Sequence, residues 1–145
     1  MDNSENLTRR RFLGTATALA APIFIPSTAL GRDKSTAPGN RITMGLIGCG
    51  GMGGADLNSF IRRPAVQVLA VCDPDRSRRE AAKSNVEKRY AEQTASGTYR
   101  GCATCVDFSE VLGREDVDAV MISTPDHWHI PMAVAAFEAG KDVSL

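Results

Sequence analysis

The feature that most constrains this chain is a glycine-rich turn between two apolar runs. The turn reads Gly48-Cys49-Gly50-Gly51-Met52-Gly53; it follows the apolar run 42–47, and a second apolar run, 66–72, is followed by Asp73. A strand, a G-x-G-x-x-G turn, a helix, a second strand and a terminal carboxylate about 20 residues after the turn are typical of a dinucleotide-binding βαβ unit. A glycine-rich turn without a ligand is the alternative interpretation.

Each part of this pattern has a physical role. Gly48 permits the tight turn, Gly50 lets the backbone approach a pyrophosphate, and Gly53 lets the next helix pack closely on the sheet. The start of that helix offers unpaired N–H groups and a positive dipole end to phosphates. Asp73 is placed to accept hydrogen bonds from ribose hydroxyls and to repel a 2′-phosphate, so NAD is favoured over NADP. The first group of predicted cofactor-binding residues is therefore Gly48, Gly50, Gly51, Met52, Gly53 and Asp73.

Strand and helix patterns alternate along the rest of the chain. The predicted strands are residues 41–47, 66–72, 100–104, 117–123 and 143–145. The predicted helices are residues 51–63, 74–94, a short helix from Asp107 to Gly113, and 130–139. This alternation predicts an α/β fold with a doubly wound, Rossmann-type parallel sheet in the strand order 3-2-1-4-5. A ligand is then expected at the carboxyl ends of the first and fourth strands, where the winding reverses.

Local signals set the expected helix ends. Pro74 is predicted to open the second helix, since proline is tolerated in a first turn. Asp107, with Glu110 three residues later, is predicted to cap the third. Gly140 is predicted to end the last helix. The buried stripe of the second helix is assigned to Ala81, Ala82, Val86 and Tyr90.

A second polar cluster follows the predicted fourth strand. It reads Ser123-Thr124-Pro125-Asp126-His127-Trp128-His129 and contains both histidines of the chain. The topology places it on the same rim as the glycine turn, where it would line a ligand crevice. Asp126 is also a candidate cap for the last helix, with Trp128 packing and the histidines incidental. A metal site built from the two histidines and Asp126 is a further alternative.

The first residues carry a targeting pattern. Thr8-Arg9-Arg10-Arg11-Phe12-Leu13 matches a twin-arginine export signal, and a mildly apolar run follows it. We expect residues 1–31 to be a signal peptide cleaved near Ala29, residues 32–40 to be a linker, and the protein to be periplasmic after passage through the twin-arginine machinery. The run is too short and too weakly apolar for a transmembrane helix. A basic arm or an uncleaved anchor is the alternative.

Charge and cysteine usage exclude several classes of protein. The chain has 17 basic and 17 acidic residues, so it lacks the basic excess of a nucleic-acid-binding protein. Cys102 and Cys105 have C-x-x-C spacing, but no second pair or nearby histidine accompanies them, which disfavours zinc. We interpret the spacing as chance; oxidation after export is the alternative.

These motifs together resemble the N-terminal domain of the Gfo/Idh/MocA oxidoreductases. The resemblance covers residues 41–145, and the Thr-Pro-Asp-His-Trp-His string with its following helix makes it specific. It implies NAD(P)-dependent hydride transfer on sugars, polyols or related cyclic alcohols. It also implies that the nicotinamide side is lined by the residues Ser123, Thr124, Pro125 and His129. His127 is assigned to the same cofactor or substrate rim from its place in the polar cluster. Exported members with a twin-arginine signal form a recognised subgroup.

One departure from the family pattern limits the prediction. The resemblance implies a Glu-Lys-Pro motif after the fifth strand and a C-terminal substrate domain, and the sequence stops at Leu145. Lys141 precedes the strand and cannot take the role of the motif lysine. We therefore expect residues 41–145 to be an incomplete NAD(P)-binding domain, truncated in its fifth strand, and we assign no catalytic and no metal-binding residue.

Three functions stay open at this point. The first is the cofactor-binding part of an exported oxidoreductase, acting as a homo-oligomer when full length on a sugar or polyol. The second is an NAD-dependent glycosidase of the same family, which retains its cofactor through turnover. The third is a non-catalytic nucleotide-binding remnant.

Overall fold

Five parallel strands form one sheet in the computed structural model, which describes residues 38–145. The sheet order is β3-β2-β1-β4-β5, and all four neighbouring pairs are parallel. The strands are β1 (Ile42–Ile47), β2 (Val66–Cys72), β3 (Ala103–Cys105), β4 (Ala119–Ile122) and β5 (Asp142–Ser144). The predicted fold class and strand order are confirmed. The predicted signal peptide lies outside the described residues, and so does the predicted linker apart from a 3₁₀ turn at Pro38–Asn40.

Helices cover both faces of the sheet. They are α1 (Gly51–Phe60), α2 (Arg76–Arg89), α3 (Ala91–Ala95), α4 (Phe108–Leu112) and α5 (Asp126–Glu138). Right-handed crossovers place α1 and α2 on one face, and α4 and α5 on the other, because the winding direction reverses at β1. Two apolar cores result: Leu57, Ile61 and Val86 belong to the first, and Val111 and Met132 belong to the second. Within residues 38–145 no helix is long and apolar enough to cross a membrane.

The central strands are buried because helices cover them on both sides. All four residues of β4 and the last four of β1 are buried. Gly45 in β1 faces Val111, and a Cβ at Gly45 would overlap that side chain. The missing side chain at Gly45 therefore lets α4 lie close to the sheet.

The second helix begins and ends at different residues from those predicted. Its N-cap is Asp75 rather than Pro74, because the Asp75 carboxylate accepts hydrogen bonds from the backbone N–H groups of Ser77 and Arg78. The predicted single helix to residue 94 is interrupted at Tyr90. The Tyr90 ring is buried, and its hydroxyl contacts the backbone of β2. Ala81, predicted to be buried, is exposed.

The last helix begins four residues earlier than predicted. It starts at Asp126, its N-cap is Pro125, and Asp126 makes no capping hydrogen bond, so the alternative in which Asp126 caps this helix is not observed. Pro131 lies inside the helix. A turn formed by the Trp128 N–H and the Pro125 carbonyl (2.8 Å) starts the helix ahead of the predicted residues 130–139. Gly140, at φ +72°, ends it as predicted.

Candidate functional site

The glycine turn lies directly beside the end of β4. Gly48 has φ +92°, and a Cβ there would lie 2.6 Å from the Ser123 carbonyl oxygen. The Ser123 N–H donates to the Ile47 carbonyl at 2.8 Å, which ties the two strand ends together. The structure therefore brings the glycine turn and the second polar cluster together at the carboxyl ends of β1 and β4, as the topology predicted.

The three motif glycines lie in different surroundings. A Cβ at Gly53 would overlap the Gly48 carbonyl oxygen, so Gly53 allows α1 to start tightly against the turn. Gly50 is the N-cap of α1 and faces open space; only the Arg78 guanidinium comes within 4 Å of its Cβ position, at 3.8 Å. Gly51 and Met52 form the exposed first turn of α1. Their N–H groups, like those of any helix start, have no acceptor within the helix and add to its positive end.

Asp73 lies at the carboxyl end of β2 but is only 5% exposed. One carboxylate oxygen accepts the N–H of Cys49 at 2.8 Å, and the other accepts the N–H of Asp75 at 2.8 Å. The carboxylate thus holds the glycine turn in shape, a role that the sequence analysis missed. Each oxygen has a second lone pair, so these two hydrogen bonds leave the carboxylate able to accept further donors.

The end of β4 carries the polar groups predicted for the nicotinamide side. The Ser123 hydroxyl donates to the Asp56 carboxylate at 3.1 Å. The Thr124 hydroxyl oxygen is buried without a hydrogen-bond partner among the described residues. The His129 Nε2–H donates to the Thr124 carbonyl at 2.6 Å and closes the turn before α5. A buried hydroxyl without a partner is unfavourable unless a ligand satisfies it.

The remaining predicted site residues lie at the exposed start of α5. Pro125 is the exposed N-cap, and His127 is exposed with its ring centroid 6.0 Å from that of Trp128. No group of three or more His, Cys, Asp or Glu side chains suited to a metal ion occurs within residues 38–145. The structure therefore places Pro125 and His127 at the exposed start of α5, on the rim.

The cysteines are buried free thiols. Burial, followed by the nearby Asp73 charge, raises the pKa of the Cys49 thiol to about 12, and burial also raises the pKa of Cys102 to about 12. A thiol with so high a pKa is protonated at neutral pH and is a poor nucleophile. Cys49 therefore serves as a small apolar side chain within the glycine turn.

Two site residues were not found from the sequence. Asp56, on α1, holds the Ser123 hydroxyl, and Arg78, on α2, reaches the open side of Gly50. The charged residues of the second helix, which carries Arg78, were interpreted as its solvated face, and Asp56 was given no role. The three-residue spacing from Asp75 to Arg78 was the one available signal, since it places the two side chains on one helix face.

The fold and this rim define a dinucleotide-binding α/β domain. The cradle beside Gly50, the exposed start of α1 and the buried Thr124 hydroxyl fit the phosphate and polar groups of such a cofactor. Residues 42–145 match the Gfo/Idh/MocA profile, described as an oxidoreductase family with an NAD-binding Rossmann fold. The chain belongs to this oxidoreductase family.

The curated relatives of this chain are much longer proteins. A protein of Shewanella sp. (strain ANA-3) named glycosyl hydrolase family 109 protein 1 is 31% identical, covering 94% of this chain and 32% of that protein. The α-N-acetylgalactosaminidase of Shewanella oneidensis is 30% identical with the same coverage. The chain thus spans about a third of the length of the curated relatives it matches.

Solved structures share the fold. A 3-ketoreductase, KijD10, from Actinomadura kijaniata, in complex with NADP and TDP-benzene, is 25% identical with a TM-score of 0.59, covering 72% of this chain and 28% of that one. Scyllo-inositol dehydrogenase from Lactobacillus casei, with bound NAD(H) and scyllo-inositol, is 21% identical with a TM-score of 0.59. The match covers 71% of this chain and 27% of that one. The structural neighbours thus include complexes with either nicotinamide cofactor.

Proposed function

We propose that this chain is the cofactor-binding part of an exported enzyme that acts on a sugar, polyol or related cyclic alcohol by hydride transfer. The observation that carries the proposal is the contact between the glycine turn and the end of β4. It aligns an anion-binding helix start with the buried Thr124 hydroxyl along one rim. A dinucleotide has the same order of groups, a pyrophosphate and then a polar nicotinamide ribose.

The residues of this chain bind and orient the cofactor and take no part in the chemical step. Gly48, Gly50 and Gly53 shape the turn around a pyrophosphate, and α1 directs its first N–H groups to the phosphates. Ser123, held by Asp56, and Thr124 offer hydroxyls to the nicotinamide half. Once bound, a nicotinamide cofactor supplies a carbon that accepts or donates a hydride. No residue of the chain is assigned to proton transfer.

The preference for NAD over NADP stays a prediction based on Asp73. Its support is the position of the carboxylate at the end of β2, where a ribose hydroxyl is expected. The preference requires that the free lone pairs of the Asp73 carboxylate, which already accepts the N–H groups of Cys49 and Asp75, accept the ribose hydroxyls as well.

A second candidate function is favoured by the curated relatives. Their names are those of family 109 glycosyl hydrolases and an α-N-acetylgalactosaminidase. In an NAD-dependent glycosidase the hydride taken from the sugar returns to it, so the cofactor ends each turnover in its starting state. The same cofactor-binding domain serves both chemistries, and the substrate domain of the whole protein separates them.

One experiment separates the three functions. The coding DNA is read past codon 145, and the complete protein is assayed with sugars and with aryl α-N-acetylgalactosaminide. Stoichiometric NADH or NADPH formation supports the dehydrogenase. Glycoside cleavage without net reduced cofactor supports the glycosidase. Cofactor binding with neither activity, and no Glu-Lys-Pro motif downstream, supports the non-catalytic remnant.

We also propose that Arg9 and Arg10 direct export by the twin-arginine route. The support is the motif at residues 8–13. Replacing both by Lys should retain the precursor in the cytoplasm, because the machinery recognises the arginine pair. Cell fractionation followed by immunoblotting measures this, and Arg11→Lys is the matched control. Normal export of the double variant would exclude the assignment. Homo-oligomer formation is proposed only for the full-length protein.

A further inference from the structure

A groove of about 460 Å³ runs between the starts of α1 and α2. Gly50, Gly51 and Gly54 line one wall, and Ser77 and Arg78 line the other. Of the residues that line the groove, only Arg78 carries a formal charge. The mouth of the groove therefore combines the positive end of α1 with one guanidinium on the facing helix.

Arg78 is held over this groove by its own helix. Its Nε lies 3.7 Å from the Asp75 carboxylate, and its Nη1 lies 3.8 Å from the Cβ position of Gly50. The Arg78 side chain is 59% exposed, so its pairing with Asp75 is weak and leaves most of the guanidinium donors available. The guanidinium thus faces the space that the missing side chain of Gly50 keeps open.

Neither the Asp73 carboxylate nor the Arg79 guanidinium competes with Arg78 for this position. The Asp73 carboxylate is buried, and both its oxygens accept backbone N–H groups. Arg79 points elsewhere, since its Nη1 donates to the Asp73 carbonyl. Arg78 is therefore the cation positioned to meet an anion that reaches the groove.

We infer that Arg78 binds the pyrophosphate of the dinucleotide from the side of the groove opposite the glycine turn. A guanidinium presents a planar pair of N–H donors that matches two phosphate oxygens. The turn and α1 contribute backbone dipoles without formal charge, so Arg78 supplies the one full positive charge at the phosphate. This inference rests on the proposed function, because it requires a dinucleotide at the rim.

The test compares NAD and NADP, which share the pyrophosphate but differ at the adenosine 2′-phosphate. Both are titrated against the 145-residue chain and its Arg78→Ala variant at several salt concentrations. The variant should lose roughly tenfold to a hundredfold in affinity for both cofactors, and its affinity should depend less steeply on salt. Arg76→Ala is the matched control, since it removes the same charge from the same helix turn without lining the groove.

Other outcomes overturn the inference. A loss confined to NADP would move the Arg78 contact to the 2′-phosphate, and equal affinities in wild type and variant would remove Arg78 from the site. If the wild type binds both cofactors and Arg78→Ala binds them equally well, only this inference fails. If the wild type binds neither cofactor, the proposed function fails and this inference with it. Circular dichroism checks folding, and Arg78→Gln, which keeps a polar side chain without the charge, replaces the alanine variant if that one does not fold.

Discussion

At the scale of single residues, glycine has a different role at each of three positions in the glycine turn. Gly48 needs its positive φ and its closeness to Ser123, and Gly53 needs room for the Gly48 carbonyl. Gly50 needs neither, because its Cβ position is open. Its lack of a side chain therefore matters for a ligand and little for folding.

This difference predicts opposite phenotypes for two valine substitutions. Gly50→Val should fold but bind NAD and NADP about tenfold or more weakly, because its side chain fills the space of the pyrophosphate. Gly53→Val should instead lower the free energy of unfolding by about 1–3 kcal/mol, through overlap with the Gly48 carbonyl. Urea unfolding and cofactor titration measure both quantities. Normal cofactor binding by Gly50→Val would mean that the pyrophosphate of the cofactor does not lie against Gly50.

Asp73 should affect stability as well as cofactor choice. Asp73→Ala leaves the buried N–H of Cys49 without an acceptor, so the free energy of unfolding should fall by about 1–3 kcal/mol. The variant should also bind NAD less tightly and discriminate less against NADP. Urea unfolding and the ratio of the two dissociation constants are the measurements. Asp116→Ala, which removes an exposed carboxylate, is the control; an unchanged NAD/NADP ratio in Asp73→Ala would exclude the ribose role.

At the scale of elements, short-range capping determines several helix starts. Asp107 and Glu110 form a reciprocal capping box at α4, as the sequence predicted. Asp75 takes the same position at α2, where the proline signal was misleading. In each case a carboxylate satisfies N–H groups that the helix itself leaves free.

Loss of the Asp107 cap should lower the melting temperature of the protein by a few degrees, measured by circular dichroism. The hydrogen bonds from the Ser109 backbone and hydroxyl lower the pKa of Asp107 below 3.8. A lowered folded-state pKa stabilises the protein above pH 3.8, and this contribution is lost as the pH falls through the folded-state value. Asp107→Ala should therefore make the stability depend less on pH in the acid range. Asp107→Asn, which keeps a hydrogen-bond acceptor, should lower the melting temperature less than Asp107→Ala does. Identical melting temperatures for wild type and Asp107→Ala would contradict the cap.

The features predicted correctly from the sequence are those set by residues adjacent in the chain and by the handedness of the crossovers. The strand order followed from the position of the glycine turn and the handedness of crossovers, and the rim followed from the strand order. The start of α5 was missed because it depends on a turn closed by the Trp128 N–H and the His129 ring, ahead of the predicted residues 130–139. The Asp56–Ser123 and Arg78–Gly50 contacts were missed because contacts between residues far apart in the sequence leave no local pattern.

At the scale of the whole molecule, the sheet buries its thiols on both faces. Burial raises the pKa of Cys49, Cys72 and Cys102 to about 12. These thiols should react slowly with Ellman's reagent at pH 8 in the native state and rapidly in guanidinium chloride. Because the folded-state pKa values are raised, their contribution to stability is complete below pH 9 and is lost as the pH rises towards 12. Rapid native-state labelling would show that the cores open.

The contact between Gly48 and Ser123 also decides which parts of the domain are able to move. A carbonyl occupies the place of a side chain at Gly48, and the Ser123 N–H joins it to β1, so the turn and the end of β4 form one rigid floor. Any movement of the turn relative to the end of β4 would have to break this contact and this hydrogen bond. A ligand that touches both segments therefore meets them as a single surface.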